Sequence, residues 1–332
     1  MDKVLKIDAK EDNNLKDDYR IHISKTDQWK KYLEDNGFVV LTSCISINEC
    51  DDYLNKMWKT MEILSEGKVR LEDKSTWESS KNWPFMLHGG MVQYIGHSQF
   101  QWDLREKCSE IFAKVWNVEK NQLATSFDGF CYMSGSRHYM KKPMNSFMHC
   151  DQSPLRENLW SYQGLICLTD NDEESGGFVC VPKSQKIHLN FFKENFDVKK
   201  LKEDWILFSD EDKKKYESVL GKYIKVNNKA GDFILWDSRT FHCNSVPTKN
   251  ASRACTYICM LPKSHVPDEI KIKRKKAFLE GRTSTHHPGD GFRIFPKYPR
   301  FGNKPDVYKK LISEVQGNLK LTDLQVSLSY ID

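Results

Sequence analysis

The spacing of apolar residues divides the chain into three stretches. Through the first, apolar positions recur at helical intervals around one buried strand. Trp29, Tyr32 and Leu33 give a short helix over 26–36, closed by Gly37. Residues 37–42 form a continuous apolar strand. Ser46 and Glu49 make a capping box for a helix running to about Gly67, with Tyr53, Met57, Trp58 and Met61 as its core stripe. Trp102, Arg105, Cys108, Phe112 and Trp116 put another helix over 101–116.

Between about 123 and 262 the period shortens. Apolar runs separated by turn residues predict strands at 123–132, 147–151, 163–169, 177–181, 223–226, 232–236, 241–246 and 255–261. One helix interrupts them at 210–220, N-capped by Ser209 and ended by Gly221. Beyond Pro262 helices return: a basic one over 268–281 and an amphipathic one over 306–318. Residues 1–25 are charged and aperiodic, and read as a loose arm. The expectation is a mainly β fold, a barrel or sandwich with flanking helices, forming one domain over 26–332 with its β core at about 123–262.

Composition narrows the function classes. Of 332 residues, 39% are hydrophobic and 12% aromatic, which is enough for a sizeable core. A net charge of +5 is too small for a nucleic-acid footprint. No apolar run has the length of a membrane span, and the N-terminus lacks the apolar region of a signal peptide. Ten cysteines, none in a Cys-x-x-Cys pair, suit buried thiols in a reducing compartment. A cytoplasmic protein is expected, binding a small molecule and neither nucleic acid nor membrane. The oligomeric state is left open.

The candidate chemistry centres on residues 147–152. On an extended strand, residues two apart share a face, so His149 and Asp151 present an imidazole and a carboxylate together. They make two thirds of the 2-His-1-carboxylate set that holds non-haem iron(II) and leaves positions open. With 10 histidines and 46 acidic residues, about one His-x-Asp/Glu arises by chance, so the motif needs company. Residues 231–242 supply it, ending at His242 between apolar neighbours. Arg253 follows eleven residues later, at a distance that fits a hairpin return with the guanidinium facing inward. Each has a plainer reading. His242 would be a hydrogen-bonded core histidine, and Arg253 would pair with Asp232 or Asp237 in a structural salt bridge. The other reading of a buried guanidinium fork is a planar carboxylate ligand.

Taken in order, His149-x-Asp151, the run Gly176-Gly177-Phe178-Val179-Cys180-Val181-Pro182-Lys183-Ser184, Gly231-Asp232 with His242, and Arg253 resemble the phytanoyl-CoA dioxygenase-like family. These are oxygenases dependent on iron(II) and 2-oxoglutarate, built on a double-stranded β-helix (jelly roll, cupin-like) core. The resemblance covers most of residues 26–290. It implies that His149, Asp151 and His242 bind Fe(II), and that Arg253 binds the distal carboxylate of 2-oxoglutarate. Thr256, Asn244 and Gln163 become candidates for its remaining contacts. It further implies use of O2, decarboxylation of 2-oxoglutarate to succinate and oxidation of a C–H bond. Asp151 keeps the carboxylate that halogenase-type sites lack. The sequence departs from the family where Lys183-Ser184-Gln185 replaces Gly-Ser-His. It also lacks the tryptophan often found on the strand after His-x-Asp.

The substrate is expected to be a small polar or anionic metabolite. Three loop stretches are candidate walls: 85–97, 133–146 and 281–293. The last carries Arg282, Thr283, Thr285, His286, His287 and Arg293, an anion-binding cluster or a solvated strip. A second metal at His286-His287 is disfavoured, because no cysteine or carboxylate flanks them at useful spacing. Some members of the family, the algal kainoid synthases among them, close rings in place of hydroxylating, and the likeness extends to those enzymes. A peptidyl or protein hydroxylase is the alternative, and a non-catalytic binding barrel is a further one.

Overall fold

The computed structural model describes residues 18–331 apart from 80, 85–89, 93, 135–145, 157, 248–250, 297–304 and 318. Much of the expected loop walls at 85–97 and 133–146, and the first 17 residues of the arm, lie outside this set.

Strand β1 (Arg20–His22) precedes α1 (Thr26–Asn36), β2 (Phe38–Thr42) and α2 (Ile47–Leu64). Next come β3 (Met91–Val92), α3 (Gln99–Trp116), β4 (Leu123–Thr125), β5 (Phe130–Ser134), β6 (His149–Cys150), β7 (Tyr162–Cys167) and β8 (Gly177–Cys180). Then follow α4 (Ser184–Asn195), β9 (Ile206–Leu207), α5 (Asp210–Leu220), β10 (Ile224–Lys225), β11 (Phe233–Asp237), β12 (His242–Ser245) and β13 (Ser252–Pro262). Helices α6 (Asp268–Leu279), α7 (Pro305–Gln316) and α8 (Asp323–Ser329) complete the chain.

The strands form two sheets. The larger runs β1-β2-β11-β7-β13-β5-β3, with β4 also on β13; the smaller runs β10-β8-β12-β6-β9. Successive strands β11, β12 and β13 alternate between the sheets, as β7 and β8 do. That alternation makes the double-stranded β-helix. The eleven residues from His242 to Arg253 therefore cross from one sheet to the other and are not the expected hairpin.

Strand parity decides what each side chain meets. Leu165 and Cys167 of β7, Ile234 and Trp236 of β11, and Cys255 and Tyr257 of β13 face inward against Phe178 and Cys180 of β8. The alternate residues Ile166, Leu235, Ala254 and Ile258 face outward, onto Tyr53, Met57 and Trp58 of α2 and Phe112 of α3. The back of the small sheet, with Val179, Phe241 and Cys243, packs on Phe191 and Phe192 of α4 and Tyr216 of α5. Each such aromatic or aliphatic side chain contributes about 1.5–3 kcal/mol on burial.

Gly37 joins this framework to the site. It ends α1 at φ +82°, and a Cβ there would lie 2.5 Å from Gln185 Oε1 and 2.6 Å from Thr240 Oγ1. Its carbonyl accepts from Asp237 N at 2.9 Å and Thr240 Oγ1 at 2.8 Å, fixing the turn that leads into β12.

Several expectations change. Arg20–His22 lies within the stretch read as an arm, yet it pairs in parallel with β2, and Arg20 Nη2 is 2.8 Å from Asp232 Oδ2. The strand expected over 123–132 is broken between Thr125 and Phe130. Helices α4 and α8 were not foreseen. All ten cysteines are free, and nine are buried.

Candidate active site

His149 and His242 are register partners on the adjacent antiparallel strands β6 and β12. Their ring centroids stand 4.4 Å apart. Asp151 follows on the turn leaving β6. His149 Nε2 lies 3.8 Å from Asp151 Oδ1, and His242 Nε2 lies 3.5 Å from Asp151 Oδ2. A donor atom from each of the three falls within 4.8 Å of the others, and all three residues are buried.

Both rings are held in one tautomer by the backbone. His149 Nδ1 donates to Phe147 O at 2.8 Å, and His242 Nδ1 to Thr240 O at 2.9 Å. That leaves both Nε2 lone pairs directed at the same point as Asp151, the usual arrangement around a metal-binding imidazole. Burial lowers His149 to about 4, so its ring stays neutral at ordinary pH. Burial pushes the Asp151 carboxyl up, but the hydrogen bond with His242 and the charges of the surrounding imidazoles outweigh it and hold it well below the usual range. Two imidazole Nε2 atoms converging on an ionised carboxylate suit a divalent cation.

Gln163 was expected on 2-oxoglutarate. Its amide is already engaged: Nε2 donates to Asp151 Oδ2 at 2.9 Å, and Oε1 accepts from Trp236 Nε1 at 2.8 Å. It orients the carboxylate. Gln152 was missed altogether, although it adjoins Asp151 in sequence. Fully buried, it donates to Arg156 O and Asn158 O and accepts from Ser238 Oγ and Trp160 N, and so shapes the loop after Asp151.

Arg253 is 1% exposed, and among the described residues neither Nη1 nor Nη2 has a hydrogen-bond partner. The carboxylates offered for a salt bridge are taken, Asp232 by Arg20 and Asp237 by Arg239 at 2.6 Å. An unpaired buried guanidinium is costly, so this pair of orphaned donors fits a carboxylate ligand. Asn244 Nδ2 donates to Tyr257 Oη at 3.3 Å, and its Oδ1 has no partner. Thr256 does not join them. It sits one residue out of phase with Arg253, Cys255 and Tyr257, and so faces the helices.

A cavity of about 500 Å³ opens over the triad. Phe147, Trp205, Trp236, Phe178, Leu165 and Met91 make it largely apolar, with Asn244 and Tyr257 at one wall. The stretch 284–295 forms another wall through Ser284, Thr285, His286, His287, Gly291, Arg293 and Phe295, so this strip is not simply solvated. Two of its expected members drop out. Arg282 donates to Phe295 O at 2.7 and 2.9 Å and pairs with Glu280. Thr283 is buried against Gly96, away from the cavity lining.

The fold brings Asp128 and Cys259 to His286, neighbours that spacing in sequence could not reveal. His286 Nδ1 stands 2.6 Å from Asp128 Oδ1. Two donors on one tetrahedral ion with bonds near 2.0 Å would stand about 3.3 Å apart, so this is a directly bonded ion pair.

The chain's match to known proteins agrees with this architecture. A family model described as phytanoyl-CoA dioxygenase (PhyH) matches residues 33–253. "Ava biosynthesis cluster protein O" of Aspergillus versicolor is 28% identical over 271 residues, covering 78% of this chain and 85% of that one. Among solved structures, a putative oxidoreductase from Salmonella typhimurium LT2 superposes with a TM-score of 0.55 at 12% identity, over 88% of this chain and 85% of that one. The non-heme alpha ketoglutarate dependent carbocyclase SnoK from nogalamycin biosynthesis gives a TM-score of 0.45 at 15% identity, over 70% and 82%. The chain belongs to the phytanoyl-CoA dioxygenase family and is an iron(II)- and 2-oxoglutarate-dependent dioxygenase.

Proposed function

We propose that this chain, as one catalytic domain, oxidises a C–H bond of a small molecule in a biosynthetic pathway. His149, Asp151 and His242 hold the iron, and Arg253 with Asn244 holds 2-oxoglutarate. The observation that carries this reading is the shared aim of the two Nε2 atoms and the Asp151 carboxylate, with the opposite ring nitrogens tied to Phe147 O and Thr240 O. The Aspergillus relative, named for a biosynthesis cluster, supports a small-molecule role.

With O2 and 2-oxoglutarate, the bound iron supplies the oxidant for C–H cleavage, and succinate and CO2 leave. The chain's own groups fix where that happens. Phe147 O and Thr240 O keep the two imidazoles from rotating, and Gln163 fixes the carboxylate. Arg253 presents a planar fork to the co-substrate's carboxylate. Phe147, Trp205 and Trp236 exclude water around the reacting carbon. His286, His287 and Arg293 are the polar groups that meet the substrate. Whether oxygen is transferred or a ring is closed, as in kainoid synthesis, depends on what the walls place nearest the carbon after hydrogen is removed. A cavity of about 500 Å³ suits a small molecule better than the open groove a peptidyl hydroxylase would need.

The test is anaerobic addition of Fe(II) and 2-oxoglutarate. A weak visible charge-transfer band is expected for the wild type and not for His149→Ala, with uncoupled succinate release in air. No band and no succinate from the wild type would overturn the assignment.

A further inference from the structure

We propose that the Asp128–His286 ion pair is a recognition site for a carboxylate carried by an otherwise apolar, aromatic-lined substrate. This deepens the reading above and depends on it only in taking the cavity as the substrate's.

His286 turns its buried Nδ1 to Asp128 at 2.6 Å while the residue lines the cavity, so Nε2 is the nitrogen left for a ligand there. Asp128 is 3% exposed, and Ser126 Oγ donates to its other oxygen. Both oxygens of this carboxylate, which lines the cavity beside His286, are thus committed to His286 and Ser126. Burial opposes a charge on His286, but Asp128 outweighs it and raises the imidazole to about 9. Burial, helped by the charges of His286 and Arg156, takes its neighbour His287 down to about 4 against the opposing charges of Asp151 and Asp204, and that ring lies against Trp160 with centroids 4.0 Å apart. One histidine of the pair is therefore a cation and the other is a neutral wall.

The other cations nearby are spoken for. Arg293, on the cavity wall, pairs with Glu203 at 3.2 Å, and Arg156, behind Asp204, pairs with both Asp204 and Asp290 at 2.8 Å. His286 is the one without a claim on its outward face among the described residues lining the cavity. The interior behind it is positive as well. Arg105 and Arg274 are wholly buried and donate only to backbone carbonyls: Gly96 and Asp128 for the first, Pro288, Thr125 and Ser329 for the second. Two guanidiniums and an imidazolium surround the Asp128 carboxylate there, and Asp151, already committed to the two imidazoles of the triad, acts on His286 from further off. In a low-dielectric wall that imbalance favours an anion at Nε2, bound by a short charge-assisted hydrogen bond. The rest of the substrate meets Phe147, Trp205 and Phe295, which have no charge to offer.

The test uses anaerobic protein loaded with Fe(II) and 2-oxoglutarate, titrated calorimetrically with 4-phenylbutanoate, 6-phenylhexanoate and decanoate and with their primary amides. At least one carboxylate should bind tenfold or more tightly than its amide. His286→Gln and Asp128→Asn should each erase that preference while keeping the charge-transfer band, which shows an intact iron and co-substrate site. The proposal fails if no carboxylate is preferred over its amide, or if the preference survives both substitutions. The titration is repeated on protein without iron. A carboxylate preference that persists there, with no band ever seen, would uphold the anion site while the iron assignment fell.

Discussion

Replacing Gln163 with leucine tests how the carboxylate at the centre of the site is held. The substitution removes two bonds at once: the 2.9 Å donation to Asp151 and the 2.8 Å acceptance from Trp236 Nε1. Gln163 is wholly buried and the other two are nearly so, so water does not replace what is lost. The effects should separate. Freeing a metal-binding carboxylate from its orienting partner typically weakens metal binding 10–100-fold, or about 1.4–2.7 kcal/mol. Leaving Trp236 N–H without an acceptor costs the fold about 1–3 kcal/mol. Anaerobic competition for Fe(II) against a chelator reads the first, and thermal unfolding of the metal-free protein reads the second. Trp236→Phe supplies the contrast, because Gln163 can still donate to Asp151; its iron affinity should stay within threefold of wild type. If Gln163→Leu also binds iron within threefold, Asp151 is not positioned through Gln163. If it instead weakens 2-oxoglutarate alone, Gln163 is the co-substrate ligand that its sequence position first suggested.

Arg253→Met removes both orphaned donors, each worth about 1.5–3 kcal/mol to a carboxylate. The 2-oxoglutarate concentration that half-saturates the charge-transfer band should rise by about 100-fold or more, and a change under fivefold would exclude the assignment. Thr256→Val should leave that concentration unchanged, because residue 256 faces the helices; a tenfold rise would show that parity has been misapplied. Acid should unfold the protein through its buried neutral histidines, chiefly by burial, with His97 lowered to about 3 and His188 and His287 to about 4. They bind protons only in the unfolded chain between pH 6.5 and 4, so stability is full above that window and lost below it. The slope should reach about 4 kcal/mol per pH unit; urea unfolding with no pH dependence between 6 and 4.5 would contradict it. Arg20→Ala should lower stability by about 1–3 kcal/mol, by leaving Asp232 buried without its cation. An unchanged urea midpoint would mean that the first strand contributes nothing.

Elements whose local signals agree with their tertiary role could be read from the sequence. Helices α1 and α5 begin and end where apolar period, cap and terminal glycine placed them. The β core followed from short apolar runs between turns. What failed had weak local signals. Strand β1 is three residues long and is held by its pairing with β2 and the Arg20–Asp232 contact, 212 residues apart in sequence. Helix α4 starts at Ser184, inside the turn whose departure from the family pattern drew attention away from it. There Ser184 Oγ accepts from Phe241 N at 2.9 Å and helps set the strand of His242. The unusual residues thus serve the site indirectly.

The site itself shows why donor types survive sequence reading better than partners do. His149, Asp151 and His242, which the fold brings together, could be grouped from the sequence because a metal would dictate the chemistry of its ligands, and that chemistry is visible residue by residue. Gln163 is ambiguous in the sequence because a glutamine is equally suited to a co-substrate and to a neighbouring carboxylate, and only the 2.8 Å bond from Trp236 decides which way its amide faces. Thr256 could have been rejected without any structure, since Arg253 had already been turned inward and an odd offset along a strand points outward. Asp128 was different in kind. It lies 158 residues from His286, and the ion pair that distinguishes His286 from His287 is made wholly by the fold. Two adjacent histidines thus differ in charge because just one of them meets a buried carboxylate, a difference that no spacing along the chain encodes.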